Sequence, residues 1–364
     1  MNRILRLSFT TSMLLLSLSA KELQTPSEIM QEALAQMQAV VEGTQEESNQ
    51  SVVVAPKHLT LGKYGSFQFE PYNDNVYIMH GPVVAPNKEN RGFMNNPAFI
   101  EGEHGLIVID PGGNYNVGKA VLAEIEQVSD KPILAVFNTH KHGDHWFANK
   151  AITQKYPEVK IYAHPNMIKE VKAGEAELWY GILSRTTGNL EGTKAFAYPT
   201  TALKDGDLIE VDGEKFAIAF PNRAHTDTDL LITHLNSHTL FLADNLMKGR
   251  LGSFDDSSSI LGNIAFLEGI KSDTNMTLYV PGHGMSGKRD ETIDPFLTYL
   301  KTLQEEGTRA YEEDMESYEV KDEVLAKLAW MKDWDAFEKN VPAHLNKIMQ
   351  ELAEMELLAE EEEE

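Results

Sequence analysis

Residues 138–145 read Asn138-Thr139-His140-Lys141-His142-Gly143-Asp144-His145, and they follow an apolar run from Ile133. A short, continuous apolar run reads as a fully buried strand, here expected over Ile133 to Asn138. Three imidazoles and a carboxylate therefore emerge within six residues of a strand end. If the extended geometry persists, alternation puts His140 and His142 on one side. Asp144 and His145 then lie on the turn leading into a helix expected from about Trp146. Imidazole and carboxylate are the ligand set of divalent zinc, iron or manganese. Burying four such groups without an ion leaves polar atoms unsatisfied. The stretch is therefore read as metal-binding.

Three residues farther along complete the set. His225 lies in Arg223-Ala224-His225-Thr226-Asp227, Asp244 ends the apolar strand Leu240-Phe241-Leu242-Ala243, and His283 lies in Val280-Pro281-Gly282-His283-Gly284. Each alone has a plain structural explanation. Together with the first cluster they make five His and two Asp, enough for two divalent metal ions.

The flanking pattern is α/β. Gly65 to Glu70, Asn75 to His80, Ala98 to Glu101, Leu106 to Asp110 and Lys160 to Ala163 read as strands. Hairpins are expected around Asp212-Gly213, joining Leu208–Val211 to Phe216–Phe220, and around Asn236-Ser237, joining Leu230–Leu235 to Thr239–Leu242. These exclude a purely parallel sheet. Helices are expected over Asn116 to Val128, from Pro165, and over Ile264 to Ile270, with a last strand over Thr277 to Val280. Beyond Asp290 the apolar spacing is helical throughout, and Trp330, Trp334 and Phe337 suggest one buried face there.

Composition sets the outer limits. The chain has 364 residues and no Cys, which excludes disulfides, thiolate catalysis, Cys-held iron–sulfur clusters and Cys-type zinc fingers. The hydrophobic fraction of 42% with 24% charged residues is that of a globular protein. The net charge is −24, and residues 301–364 hold 7 Lys/Arg against 20 Asp/Glu, so the C-terminal stretch dominates it. A polyanion is repelled by nucleic-acid backbones and by anionic membranes, so a small-molecule substrate is the expected partner.

Met1 to Ala20 reads as a secretory signal peptide: Arg3 and Arg6, then the apolar Leu7 to Leu18, then Leu18-Ser19-Ala20 as a cleavage end. The mature protein is expected to be periplasmic or secreted, with no membrane attachment after cleavage. The organisation expected is a signal peptide at 1–20, a helix and linker at 21–58, a metal-binding domain at 59–293 and an acidic helical extension at 294–364. The extension could also join copies of the chain into a homo-oligomer.

The run His140-x-His142-x-Asp144-His145, followed in order by His225, Asp244 and His283, resembles the metallo-β-lactamase superfamily over about residues 60–290. The resemblance implies an αββα sandwich with the metals at one edge, to which the helical C-terminal stretch is added as an extension. It implies that His140, His142 and His225 hold the first metal, that Asp144, His145 and His283 hold the second, and that Asp244 bridges them. Asp244 stands where antibiotic-hydrolysing members have Cys or Ser, which is more similar to the glyoxalase-II and lactonase branches. Ala148 stands where many members have Gly. The exported start, Asn138-Thr139, the His225-Thr226-Asp227-Thr228-Asp229 run and the helical C-terminus look most similar to periplasmic quinoprotein-relay and sulfur-oxidation-type zinc metallohydrolases.

The function expected is that of a metal-dependent, di-zinc hydrolase, with iron or manganese as other candidates. A metal-activated hydroxide would attack an ester, lactone, thioester or amide bond, β-lactams included, with Asp144 as the catalytic carboxylate. One alternative is a mononuclear-iron persulfide dioxygenase using His140, His225 and Asp244. Another is a binding protein that keeps its metal for structure. Asp110 is expected to orient a ligand His or cap its turn. Trp179, Tyr180, His164 and Lys248, with Arg250 nearby, are candidates for contacting substrate. Val83 to Pro97 and Leu178 to Arg185 are expected to be long connections over the metal edge.

Overall fold

In a computed structural model the described residues are 58–73, 75–271 and 275–363. The expected signal peptide and the helix and linker up to residue 57 lie outside them. Among the described residues, strands β3 (Glu70–Asn73), β4 (Val76–Ile78), β5 (Ala98–Glu101), β6 (Leu106–Ile109), β7 (Ile133–Phe137), β8 (Lys160–Ala163) and β9 (Thr201–Ala202) form one sheet in that order. Its first half is antiparallel, and β6 to β9 pair in parallel. A second sheet orders β10 (Leu208–Val211), β11 (Glu214–Ala219), β12 (Leu231–His234), β13 (Thr239–Met247) and β14 (Leu278–His283). Only its last pair, β13 with β14, is parallel. The short pair β1 (Leu59–Thr60) and β2 (Ser66–Phe67) stands apart from both.

Three apolar layers hold these sheets between helices. Ile107, Ile109, Ala135 and Phe137 of the first sheet meet Phe216, Ile218, Ile232 and Phe241 of the second. The alternate residues Leu106, Val108 and Val136 face the other way, onto Val117, Val121 and Ile125 of α1 (Tyr115–Ile125). Period-two alternation thus feeds two cores from one strand. Helix α1 starts cleanly because Asn114 Oδ1 accepts the Val117 N–H at 2.9 Å. The outer face of the second sheet packs on the C-terminal helices through Leu242, Leu246, Tyr279, Phe296, Leu300 and Leu345. Phe137 is fully buried where the sheets meet, so Phe137→Ala would cost about 3–5 kcal/mol. The architecture is the expected αββα sandwich with C-terminal helices.

Several boundaries differ from the sequence reading. Gly65 to Glu70 is not one strand: it divides between β2 and the start of β3. The helix expected from Trp146 begins three residues earlier, as α2 (Gly143–Trp146), because extended His142 serves as its N-cap and Asp144 suits the positive helix start. Helix α3 (Asn149–Lys155) follows, then α4 (Pro165–Glu170). Leu178 to Arg185 is not a loop but lies in α5 (Ala176–Thr187), which left-handed Gly188 terminates. The helix expected from Ile264 is the longer α6 (Ile260–Lys271). Strand β13 runs five residues beyond Leu242, and β14 continues through Pro281-Gly282 to His283. The C-terminal helices are α7 (Arg289–Glu312), α8 (Ser317–Lys327) and α9 (Phe337–Glu363). Phe337 is buried there and Trp334 half-buried, but Trp330 is 52% exposed, so the expected buried face excludes it. No described helix is long and apolar enough to cross a membrane.

Candidate metal centre

The ligand-type side chains gather where the carboxyl ends of β7, β13 and β14 meet. β7 delivers the chain to His140 and His142, and α2 carries Asp144 and His145 in its single turn. β13 carries Asp244 within a fully buried strand, inside the second of two irregularities in its pairing with β14, the one between Ala243 and Met247. Ala243, immediately before it, has φ 46°, a left-handed setting rare for a side-chain-bearing residue. Asp110, at the end of β6, is also left-handed, with φ 47°. Such settings persist only where their surroundings over-determine them, and they concentrate at functional sites. β14 ends at His283, and its Gly282 has no room for a side chain: a Cβ there would lie 1.9 Å from Asp244 Oδ1.

Two groups result. His140, His142, His225 and Asp244 converge in one, and Asp144, His145 and His283 in the other; within each, the candidate ligand atoms all lie within 4.8 Å of one another. All seven residues are buried. His225 Nε2 stands 3.1 Å from His142 Nδ1 and 3.6 Å from Asp244 Oδ2. His283 Nε2 stands 3.4 Å from Asp144 Oδ2 and 3.3 Å from Asp244 Oδ2, and His145 Nε2 lies 3.2 Å from Asp244 Oδ1. Asp244 thus faces both groups, in the bridging place that the resemblance implies.

The far nitrogens of three rings are engaged from behind, that of His140 by Thr139 Oγ1 at 3.1 Å. His145 Nδ1–H donates to Asp110 Oδ2 at 2.8 Å, and Asp110 is held in turn by the Thr139 N–H (2.9 Å) and Oγ1–H (2.5 Å). His283 Nδ1–H donates to the Met94 carbonyl at 2.7 Å. These last two contacts set the tautomer that leaves Nε2 bare. The buried atoms His140 Nε2, His145 Nε2, His283 Nε2 and Asp244 Oδ1 have no hydrogen-bond partner in the protein, and neither does His225 Nδ1. Orphaned polar atoms of this kind are costly when buried, and bare nitrogens aimed at a common point suit a cation.

The electrostatics agree. Burial pushes His140 well below the ordinary imidazole value, and the neighbouring His145 and His142 add to the effect. Burial, opposed by Asp244, holds His225 down at about 3. Burial also works against the charged forms of Asp144 and Asp244, but the imidazoles of His145 and His283 outweigh it and hold both below the usual carboxylate range. His145 is the exception among the imidazoles: burial opposes its charge, yet Asp244, Asp144 and Asp110 keep it well above its ordinary value. In the absence of an ion the carboxylates draw a proton onto His145; a divalent cation would displace it from Nε2 and supply that positive charge instead. The donor set fits metal ions, with nitrogen and oxygen ligands and no sulfur.

The centre forms the floor of a cavity of about 470 Å³. One wall is apolar: Leu178, Trp179 and Ile182 of α5. The Trp179 ring packs on the His142 ring with centroids 4.5 Å apart and planes tilted by 40°, and its Nε1–H donates to Glu175 Oε1 at 3.0 Å. The opposite wall is polar, with Arg250, Asp255, Lys339 and Asn340. Ala85, Pro86 and Met94 close it from the Val83–Pro97 connection, as expected of that segment.

Of the candidate substrate contacts, Trp179 and Arg250 line this cavity; Tyr180, His164 and Lys248 do not. Tyr180 lies on the far side of α5, against Phe196. His164 is the N-cap of α4: its Nδ1 accepts the Asn166 N–H at 3.1 Å, and its ring packs on Phe220. Lys248 lies just past the end of β13 at Met247, separated from Arg250 by left-handed Gly249 at φ 82°. Sequence reasoning missed Asp255, Lys339 and Asn340. Asp255 Oδ2 lies 3.8 Å from His142 Nε2. Lys339 and Asn340 arrive from α9, and no local pattern marks them.

Comparisons with known proteins point the same way. The chain is 41% identical over 234 residues to a linear primary-alkylsulfatase of a Pseudomonas species, a match covering 55% of this chain and 43% of the relative. It is 29% identical over 153 residues to a hydroxyacylglutathione hydrolase of a Synechococcus strain, covering 39% and 50%. A probable metallo-hydrolase of Methanocaldococcus jannaschii is 27% identical over 205 residues, covering 54% and 91%. The chain therefore spans half or less of the alkylsulfatase and the hydroxyacylglutathione hydrolase. Among solved structures, a sec-alkylsulfatase from a Pseudomonas species superposes with a TM-score of 0.60 at 15% identity, covering 79% of this chain and 50% of that one. A metallo-beta-lactamase from Pontibacter korlensis gives 0.51 at 14% identity, covering 65% and 99%; both show a shared fold. The family profile matches residues 90–283, which hold all seven converging side chains. That span is more than half of the sequence, and the chain belongs to the metallo-beta-lactamase superfamily.

Proposed function

We propose that the protein is a two-metal hydrolase acting on an ester-type bond of a substrate with an apolar portion and an anionic group. The observation that carries this is the pair of converging ligand groups, with bare buried nitrogens, at the floor of a cavity large enough for a small molecule. Bound divalent cations, zinc being the first candidate, would supply a nucleophilic hydroxide at neutral pH and polarise the scissile group. Asp144, held ionised, offers Oδ2 to take up a proton and pass it to the leaving group. Leu178, Trp179 and Ile182 exclude water along one side and suit an alkyl or aryl portion. Arg250 and Lys339 on the other side suit an anion. The sulfate-ester and thioester hydrolases among the relatives fit a substrate of this kind.

A single-iron oxidative centre on His140, His225 and Asp244 accounts for less. It leaves Asp144, His145 and His283 converging and buried with two unpartnered nitrogens. The test is a panel with the metal-loaded protein: octyl sulfate, a p-nitrophenyl ester, a lactone, an S-acyl thioester and a chromogenic β-lactam, with oxygen uptake followed in parallel. Hydrolysis of an ester-type probe without oxygen uptake is expected. Oxygen consumption with a persulfide and bound iron would overturn the reading, and stable metal without turnover of any probe would favour a binding protein.

A further inference from the structure

The polar wall of the cavity is held by the last helix rather than by the sandwich. Residues 249–255 leave β13 and carry Arg250, Leu251, Gly252, Ser253 and Asp255 past the metal centre. Two carbonyls of this loop point at α9. Asn340 Nδ2–H donates to the carbonyls of Leu251 at 2.8 Å and Gly252 at 2.7 Å. His344, one turn farther on, donates Nε2–H to the same Gly252 carbonyl at 2.9 Å. A carbonyl can only accept, so the proton must sit on Nε2. His344 Nδ1 is then an acceptor, and it receives the hydroxyl of fully buried Tyr299, 2.7 Å away on α7. Just before α9, Asp335 brackets the loop with its backbone: Leu251 N–H donates to its carbonyl at 3.0 Å, and its own N–H donates to the Gly249 carbonyl at 2.9 Å.

These contacts are buried and mutually satisfied; Asn340 and His344 hold the loop, and the loop in turn borders the metal ligands, with Arg250 Nη1 3.2 Å from His283 Nδ1 and Asp255 Oδ2 3.8 Å from His142 Nε2. Asn340 and His344 are 7% and 2% exposed. Asn and His are unusual choices for the buried face of a helix that also turns Phe337, Val341, Leu345 and Ile348 inward, and Glu351, a further buried polar residue on it, is likewise engaged, by the Ile260 and Leu261 N–H groups. Packing alone does not call for them, but two loop carbonyls without other donors do.

We infer that Asn340 and His344 are positioning residues: α9 acts as a clamp that sets loop 249–255, and through Arg250 and Asp255 it determines which substrates the cavity accepts. The C-terminal extension is then part of the recognition machinery. The kinetic consequence rests on the hydrolase reading; the structural consequence does not.

The experiment compares the metal-loaded full chain with Asn340→Ala, His344→Ala and His344→Gln. Hydrogen exchange of the 250–255 amides, metal content and hydrolysis of octyl sulfate and a neutral p-nitrophenyl ester are measured on each. Both Ala variants are expected to exchange in the loop about tenfold or more faster, with exchange in β6 and β7 and the metal content unchanged. Their KM for octyl sulfate should rise about tenfold, with kcat within about twofold. His344→Gln keeps a donor for the Gly252 carbonyl and should restore most of the protection. Unchanged loop exchange in folded Asn340→Ala would overturn the inference, whatever the activity. So would loss of metal together with loop protection, because the helix would then support the centre and not the loop. If His344→Ala does not fold, Asn340→Ala and His344→Gln still decide. If the wild type hydrolyses no probe, the hydrolase reading fails, and loop exchange alone decides the clamp.

Discussion

Asp110→Asn tests how the second ligand group is held ready for a cation. The carboxylate accepts from three donors: Thr139 N–H, Thr139 Oγ1–H and His145 Nδ1–H. A carboxamide of the same size cannot accept from all three. With its oxygen toward the Thr139 backbone, its NH2 faces His145 Nδ1 and drives the ring proton onto Nε2, the atom that would bind the ion. With the amide reversed, two donors meet at Thr139. Either arrangement leaves a buried polar group mismatched, at a cost of about 1–3 kcal/mol. Loss of such an outer partner lowers metal affinity by about 10- to 100-fold, or about 1.4–2.7 kcal/mol. The group of His140, His142 and His225 reaches Asp110 only indirectly, through Thr139 Oγ1 at 3.1 Å from His140 Nδ1, so its affinity should change less. Competition against a chromophoric chelator would resolve the two steps. One tight ion with a second weakened by that factor is the expected result. Two ions held with wild-type affinity would refute the tautomer argument.

Other expectations concern chemistry and stability. His142→Ala and Asp144→Ala should abolish turnover, to below about 1% of wild type, while circular dichroism shows the fold intact; wild-type rates in either would remove the ascribed roles. Chelation should lower the midpoint of thermal unfolding by about 5–10 °C, because the buried carboxylates lose their counter-charge. Recovery on adding back zinc would be seen by calorimetry. His344 gives an acid limb: burial holds it neutral, down to about 4, while an unfolded His titrates near 6.5. The unfolded chain therefore binds the extra proton between these values, and stability falls as pH drops from about 6.5 to 4, by up to about 3 kcal/mol. In His344→Gln that share of the slope should vanish from urea titrations, leaving the parallel shares of the other lowered histidines, among them half-buried His80, also lowered to about 4, and His225, lowered to about 3.

The metal centre was legible because its chemistry is dense. Three imidazoles and a carboxylate within residues 140–145 have no ordinary structural use, and the strand before them announces itself by its apolar run. Asp244 and His283 were legible for the same reason, as polar residues following apolar runs, although β13 continues past Asp244 to Met247. The pattern of strands, hairpins and helices gave a mixed α/β fold and the resemblance gave the sandwich; in the structure, alternation turns Ile107 and Val108 to opposite cores. What could not be read depends on contacts made far along the chain. Nothing near Asn340 or His344 indicates that they reach back about ninety residues to the Leu251 and Gly252 carbonyls. Tyr180 and Trp179 are adjacent in sequence, yet on a helix they point about 100° apart, so only Trp179 reaches the centre. With α5 taken for a loop, that distinction could not be drawn. Lys248 and Arg250 would share a side in a regular strand; the left-handed turn at Gly249 separates them.

The most direct measurement is elemental analysis of the purified full chain, repeated on His140→Ala and His145→Ala. The account predicts two divalent ions per chain in the wild type, one for each ligand group, and loss of an ion in each variant. A wild type that binds no transition metal with the seven side chains intact, or that retains both ions after either substitution, would contradict it.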